Sequence, residues 1–260
     1  MENQKGILYG IGTGPGDPDL LTLKAVQTVQ HCPVIAVPRS DSKPGSKSDG
    51  QPGSHSGGGQ PGSHSGGGEG TAYQIVEPYL AGKELVECHF VMERDMQKRR
   101  AARQLAATQI IQYLDRGQDV GFITLGDPTT YSTYMYVHQL VADAGYEAKI
   151  IPGITSFAAA AAELGIALCE DSEPLTVIPA SHNASIDELL DASGNKVIMK
   201  SASSLSDVLS RLRARGLNEQ TKIVYQATMP GQRLYNSLDE YEQAPESGYF
   251  TLAIVKEKRP

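Results

Sequence analysis

Two glycine-rich turns, each ending an apolar run, constrain this chain more than any other feature. The first is Gly10-Ile11-Gly12-Thr13-Gly14-Pro15-Gly16-Asp17-Pro18, closing the run at 5–11. The second is Gly126-Asp127-Pro128-Thr129-Thr130-Tyr131, after the run at 119–125. A third turn, Pro152-Gly153-Ile154-Thr155-Ser156, follows the short run 148–151. Each stands where a parallel strand hands over to a helix, and in open α/β sheets ligands bind outside that carboxyl edge. The pattern predicts an α/β fold and a small-molecule enzyme.

The chain of 260 residues is long enough for one large domain or two moderate ones. A composition of 40% hydrophobic and 20% charged residues is ordinary for a globular protein. The net charge of −7 argues against nucleic acid as partner, because phosphate binding favours a basic field. The segment Met1-Glu2-Asn3-Gln4-Lys5-Gly6 lacks a signal-peptide apolar core. No apolar run approaches the roughly 18 residues of a membrane span. A cytoplasmic protein with no membrane partner is the expectation. Cys32, Cys88 and Cys169 lack metal-type spacing and read as buried small hydrophobes, so no metal site is expected.

Periodicity predicts a strand at 5–11, a helix at 19–29 capped by Asp17 or Asp19, and a strand at 33–37. This order predicts a right-handed parallel crossover. From Arg39 to Gly70 there is no aliphatic residue and no Phe, Tyr or Trp. Within that segment QPGSHSGGG occurs twice in tandem, at 51–59 and 60–68, carrying His55 and His64. Such composition cannot offset the entropy of ordering, so a flexible insertion is predicted. Further elements are a helix at 72–80, a strand at 84–89, a long helix at 95–115, a strand at 119–125, a helix at 133–144, a strand at 147–151 and a helix at 155–164. Later strands are predicted at 175–179, 196–199, 222–227 and 248–255, helices at 186–191 and 204–215, and a hairpin or strand at 234–241. The change of character after the third turn divides the chain into domains at 1–152, carrying the insertion 39–70, and 153–260.

The first turn is not a dinucleotide fingerprint. Counting from Gly10 the sixth position is Pro15, and from Gly12 it is Asp17, where Gly-x-Gly-x-x-Gly needs glycine. No acidic residue ends the second strand to hold a ribose; Arg39 stands there. The Gly-x-x-x-x-Gly-Lys-Ser/Thr phosphate loop is also absent. The glycines therefore permit close backbone approach without forming a known phosphate cradle.

The first turn, followed by Leu20-Leu21-Thr22-Leu23-Lys24-Ala25, resembles the opening of the tetrapyrrole methylases. The likeness continues at Gly126-Asp127-Pro128, at Pro152-Gly153-Ile154-Thr155-Ser156 and at Gln226-Ala227-Thr228-Met229-Pro230-Gly231-Gln232-Arg233. It spans the chain apart from 39–70. Within the family, Val37-Pro38-Arg39, Ala72-Tyr73-Gln74-Ile75-Val76, Phe90-Val91-Met92-Glu93-Arg94-Asp95 and Leu125 to Tyr134 resemble the branch that methylates C20 of precorrin-2 or cobalt-precorrin-2 in cobalamin biosynthesis. The long Gly/Ser repeat departs from the family pattern and leaves that loop's part in substrate binding open.

The resemblance implies two α/β domains with a cofactor cleft between them, a homodimer, S-adenosylmethionine as methyl donor and S-adenosylhomocysteine as product. Matched by position, Pro15, Gly126, Asp127, Thr130, Thr155, Ser156, Met199, Ala227 and Thr251 line the donor site, with Met199 on the adenosyl group. The implied substrate is a tetrapyrrole rich in carboxylates. Arg39, Arg94 and Lys98 are candidates to grip those groups, with Tyr131, Ser132 and Tyr134 as polar edges. Arg99, Arg100 and Arg103 read as a solvated helix face. No catalytic base is assigned; Asp127 fits turn geometry or donor binding better. His89, His138 and His182 share no motif. The rival readings are a uroporphyrinogen-III or other corrin-ring methylase, a ribosomal RNA 2′-O-methyltransferase disfavoured by the acidic charge, a regulatory S-adenosylmethionine-binding module, and a dinucleotide oxidoreductase disfavoured by the failed fingerprint.

Overall fold

The computed structural model describes residues 4–41, 70–91, 95–180, 185–200, 204–243 and 250–257. They form two units, one of Met1–Thr13 with Thr22–Gly153, the other of Gly14–Leu21 with Ile154–Pro260. The tandem repeat with His55 and His64, together with Arg94 and His182, lies outside the described residues.

The first unit is built on β1 (Leu8–Gly12), β2 (Val34–Asp41), β3 (Glu84–Val91), β4 (Val120–Thr124) and β5 (Ala148–Ile151). All pairings are parallel, in the order β3-β2-β4-β1-β5. Covered on both faces, a parallel sheet needs near-continuous apolar strands, and β1, β2 and β4 are of that kind. The connection from β1 runs toward β2 and that from β4 runs toward β5, in opposite directions across the sheet. Their neighbouring carboxyl ends are thus a topological switch point.

One face of this sheet packs on α3 (Met96–Leu114) and α4 (Tyr134–Asp143). Ala106, Ala107, Ile110 and Leu114 of α3 and Tyr134, Val137 and Val141 of α4 bury against Leu8, Val34, Val86, Cys88, Phe90 and Phe122. Further helices are α1 (Leu23–His31), which touches β1, and α2 (Thr71–Val76), which touches β4. Helix α1 starts later than its spacing predicts. Thr22 is its N-cap, Oγ1 accepting from Ala25 N–H at 3.0 Å, whereas Asp17 caps a separate 3-10 turn at Pro18–Leu20. Pro18 sits at the first position of that turn, where its missing N–H costs nothing. Likewise Pro78 ends the predicted 72–80 helix early, and a 3-10 turn, Glu77–Tyr79, follows α2. Strand β2 runs on to Asp41, into the segment whose composition predicts a loop from Arg39.

The second unit carries β6 (Leu175–Pro179), β7 (Asn195–Met199), β8 (Thr221–Tyr225), β9 (Arg233–Tyr235) and β10 (Thr251–Val255), ordered β6-β7-β10-β8-β9. Only β6 and β7 are parallel to each other; the other pairs are antiparallel. Helices α6 (Ile186–Asp191), α7 (Leu205–Ala214) and α8 (Leu238–Gln243) cover one face through Leu190, Val208, Leu212 and Tyr241. Helix α5 (Ser156–Glu163) covers the other with Ala160 and Ala161 against Val197, Val224 and Ile254. Of the hairpin or strand predicted at 234–241, the strand is present as β9 and the remainder is α8. Ser237 Oγ accepts from Glu240 N–H, and Glu240 Oε2 accepts from Asn236 N–H, so a Ser-x-x-Glu pair starts a helix there. Of the cysteines, Cys32 and Cys88 are buried, but Cys169 is exposed, against the expectation for all three.

Candidate active site

The three glycine turns follow three adjacent strands, β4, β1 and β5, at one edge of the first sheet. Their backbones approach closely enough to exclude any side chain. A Cβ on Gly153 would lie 2.2 Å from Gly126 O, and one on Gly12 would lie 2.6 Å from Gly153 N and 2.7 Å from Gly126 O. Asp127 joins two of these turns. Its Oδ2 accepts from Gly153 N–H at 2.9 Å, and its Oδ1 accepts from Thr129 N–H at 2.8 Å and from the Thr129 hydroxyl. The carboxylate is buried, with three hydrogen bonds from the protein itself. It braces two turns, its acceptor oxygens turned toward the protein's own donors. Thr13, also buried, donates from N–H and Oγ1 to Thr124 O and ties the β1 turn to β4.

Beyond Gly126 the chain turns back into α4. Thr130 N–H donates to Asp127 O, and Tyr131 follows in the left-handed region at φ 51° with 44% of its surface exposed. Ser132 Oγ lies 2.9 Å from Thr124 Oγ1 and accepts from Tyr134 N–H at 3.2 Å, just ahead of α4, whose N-cap residue is Thr133. Tyr134 is no polar edge. It is fully buried, its hydroxyl 2.9 Å from His138 Nδ1 and donating to Lys149 O at 3.3 Å. Its ring fills the space above Gly10, where a Cβ would stand 2.0 Å from the ring carbons. Burial pushes the phenol well above the ordinary tyrosine range and holds His138 below the ordinary histidine value. Tyr134 therefore belongs to the core of the first unit, not to a ligand-facing surface.

Arg39, at the carboxyl end of β2, is held in place. Its Nε and Nη2 donate to Glu87 Oε1 at 3.0 and 2.9 Å, and its guanidinium lies 5.7 Å from the Tyr73 ring centroid. Lys98 sits exposed in the first turn of α3, where Asp95 Oδ1 accepts from the N–H groups of Gln97 and Lys98. Arg103 differs from a solvated cation: its guanidinium stacks 3.5 Å from the Tyr136 ring centroid.

In the second unit, Met199 ends β7, Thr251 begins the antiparallel β10, and Ala227 follows the end of β8. The register places all three at one edge of that sheet. Met199 and Ala227 join the apolar cluster under α5, while Thr251 is 2% exposed. Thr155 is the N-cap residue of α5 but makes no side-chain capping hydrogen bond, and Ser156 is the first helical residue. Pro15 lies buried in the Gly14–Leu21 segment of this unit. That segment packs on the 226–229 loop. A Cβ on Gly16 would stand 2.4 Å from Met229 Cγ and 3.3 Å from Ala227 O, and Asp17 N–H donates to Thr228 Oγ1 at 3.2 Å.

The loop itself is strained. Gln226 and Thr228 have φ of 51° and 62°, and a β-branched residue rarely takes that conformation. Hydrogen bonds from Met229 N–H to Gln226 O and from Gln232 N–H to Met229 O close it. Sequence reasoning picks out the motif 226–233 but takes only Ala227 from it. Thr228, Met229 and Gln232 carry the geometry, and no periodic signal marks a loop residue for such a role.

Residues 7–242 match the family model of the tetrapyrrole (corrin/porphyrin) methylases. A probable cobalt-precorrin-2 C(20)-methyltransferase of Methanocaldococcus jannaschii is 32% identical, over 96% of this chain and 95% of that protein. The cobalt-precorrin-2 C(20)-methyltransferase of Salmonella typhimurium is 29% identical, over 97% of each chain. Among solved structures, the cobalt-precorrin-4 methyltransferase CbiF aligns with a TM-score of 0.69 at 20% identity, over 96% of this chain and 94% of that one. Uroporphyrin-III C-methyltransferase of Thermus thermophilus, complexed with S-adenosyl homocysteine, aligns at 0.65 and 18%, over 97% and 98%. Strand order, the shared edge of the glycine turns and the near full-length match agree: the chain belongs to the tetrapyrrole (corrin/porphyrin) methylases.

Proposed function

We propose that this protein transfers a methyl group from S-adenosylmethionine to C20 of precorrin-2 or cobalt-precorrin-2 in cobalamin biosynthesis. The observation that carries the reading is the 32% identity to the Methanocaldococcus jannaschii protein of that name over 96% of this chain. By contrast, a uroporphyrinogen-III C-methyltransferase of Bacillus subtilis matches at 26% over 62% of the chain.

The residues present suit the donor. An adenosyl group needs apolar surface, which Met199 and Ala227 offer at the edge of the second sheet. Ribose and carboxylate need hydroxyls and unpaired N–H groups. Thr155 makes no capping bond to the first turn of α5, so that turn's N–H groups lack a side-chain partner of the usual kind. In this reading Pro15, Gly126, Asp127, Thr130, Thr155, Ser156, Met199, Ala227 and Thr251 bind the donor, and Asp127 does so by shaping its turn. Arg39, Lys98, Tyr131 and Ser132, with Arg94, meet substrate carboxylates and polar groups.

When bound, the donor supplies an activated methyl on a sulfonium. The protein's task is alignment of that methyl with the nucleophilic carbon, and effective molarities of about 10⁵ M or more show how much alignment alone contributes. The reduced tetrapyrrole's ring nitrogens enrich the meso carbon, so attack does not need a strong base; a proton leaves C20 afterward. A homodimer in the cytoplasm completes the reading. Among the described residues no helix is long and apolar enough to cross a membrane.

The test is an anaerobic transfer assay with S-adenosylmethionine, read by mass spectrometry. Precorrin-2, cobalt-precorrin-2 and uroporphyrinogen III are offered separately. One added methyl on either of the first two, located at C20 by carbon NMR, is the expected result. Methylation of uroporphyrinogen III alone moves the protein to a sister activity. Donor binding with no product from any of the three favours a regulatory module instead.

A further inference from the structure

Gln232 stands outside the donor and substrate sets, yet its amide joins two elements of the second unit. Its Oε1 accepts from Thr228 N–H at 2.5 Å, and its Nε2 donates to Glu163 Oε2, at the end of α5, at 2.7 Å. The amide orientation follows from chemistry: an N–H demands an acceptor on one side, and a carboxylate demands a donor on the other. Thr228 is the strained residue at φ 62°, a conformation that persists only where neighbours hold it. Thr228 Oγ1 in turn accepts from Asp17 N–H, and Gly16 packs against Met229 and Ala227 O. One chain of contacts therefore runs from Glu163 through Gln232 and Thr228 to the segment that carries Pro15. Ala227, beside Thr228, and Pro15, in the segment it reaches, are both in the donor set.

Resting on the donor assignment above, we infer that Gln232, anchored by Glu163, is a positioning residue for the methyl donor. It holds the 226–229 loop, and through Thr228 the Pro15 segment, in the conformation that accepts S-adenosylmethionine. It does not touch the reacting atoms, so its loss weakens donor binding and leaves transfer at saturation nearly unchanged.

The test measures S-adenosylhomocysteine binding by titration calorimetry on the full chain, donor KM and kcat in the assay above, and Tm alongside. Gln232→Glu sets two carboxylates against each other; Kd and donor KM rise about ten-fold with kcat close to wild type, as expected for losing a hydrogen bond to a charged group. The double variant Q232E/E163Q restores the brace with its polarity reversed. The carboxylate introduced at 232 accepts from Thr228 N–H and from the amide introduced at 163, and Kd returns to within about three-fold of wild type. Glu163→Ala, an exposed change at a helix end, reads the same brace from its far side and raises Kd about three-fold without lowering Tm. Wild-type affinity in Q232E or E163A, or a double variant that binds no better than Q232E, overturns the inference. A wild-type chain that binds no S-adenosylhomocysteine overturns the donor assignment itself, before any variant is compared.

Discussion

Asp127 shows how one side chain can brace two turns at once. Three donors converge on its carboxylate, and the turns after β4 and β5 depend on it. Asp127→Asn turns one acceptor oxygen into a donor facing another donor. The expected loss is about 1–3 kcal/mol, measured by urea denaturation. A variant as stable as wild type would mean that the turns hold without it. The cysteines offer a second test. Burial pushes the thiols of Cys32, with some help from the Asp119 charge, and of Cys88 up to about 12 from 9.0. The unfolded chain then releases those protons first. Their contribution to stability is whole below about pH 9 and is lost as pH rises toward about 12. Urea midpoints should fall between about pH 8 and about pH 10.5. At neutral pH only the exposed Cys169 should react rapidly with a thiol reagent; fast labelling of a second cysteine would contradict the burial.

At the scale of elements, the sequence exposes strands and helices better than their ends. Most predicted elements exist, because apolar periodicity reports which face is buried. The ends are set by single hydrogen bonds. Helix α1 begins after Thr22 because its hydroxyl meets Ala25 N–H. Asp17 and Asp19, which the composition of the turn favours, belong to the 3-10 turn before it. Thr22→Ala should cost about 1 kcal/mol in thermal or urea unfolding, while Asp19→Ala should leave α1 intact. A loss larger in the Asp19 variant would reverse that assignment. Tyr134 marks the other way in which local reading fails. Next to Ser132 on a loop it reads as a polar edge. The neighbouring strand supplies Gly10, whose missing side chain makes room for the ring, and that pairing is invisible along the chain.

At the scale of the whole molecule, the tandem repeat is the stretch of sequence with least to bury. Residues 39–70 carry no aliphatic residue and no Phe, Tyr or Trp, so the repeat within them has nothing apolar to bury. Deleting 51–68 should shift the thermal midpoint by no more than about 2 °C, since loop length enters stability only logarithmically. A larger fall would show that the repeat packs against the fold. The grouping of Gly14–Leu21 with residues from Ile154 onward is the complementary lesson. Those residues continue the first strand's turn in sequence, yet their contacts lie with Thr228 and Met229.

The motifs of the sequence carried the resemblance to the family, and sequence by itself determined the α/β class and the position of each glycine turn. These follow from composition and local pattern, which act over a few residues at a time. Tertiary structure alone decided which turns share a sheet edge, that Asp127 braces two of them, that Tyr134 is core, and that Gln232 spans from a strained loop to Glu163. Each of those rests on contacts between residues far apart in the chain, and only the order and register of the strands bring such residues together.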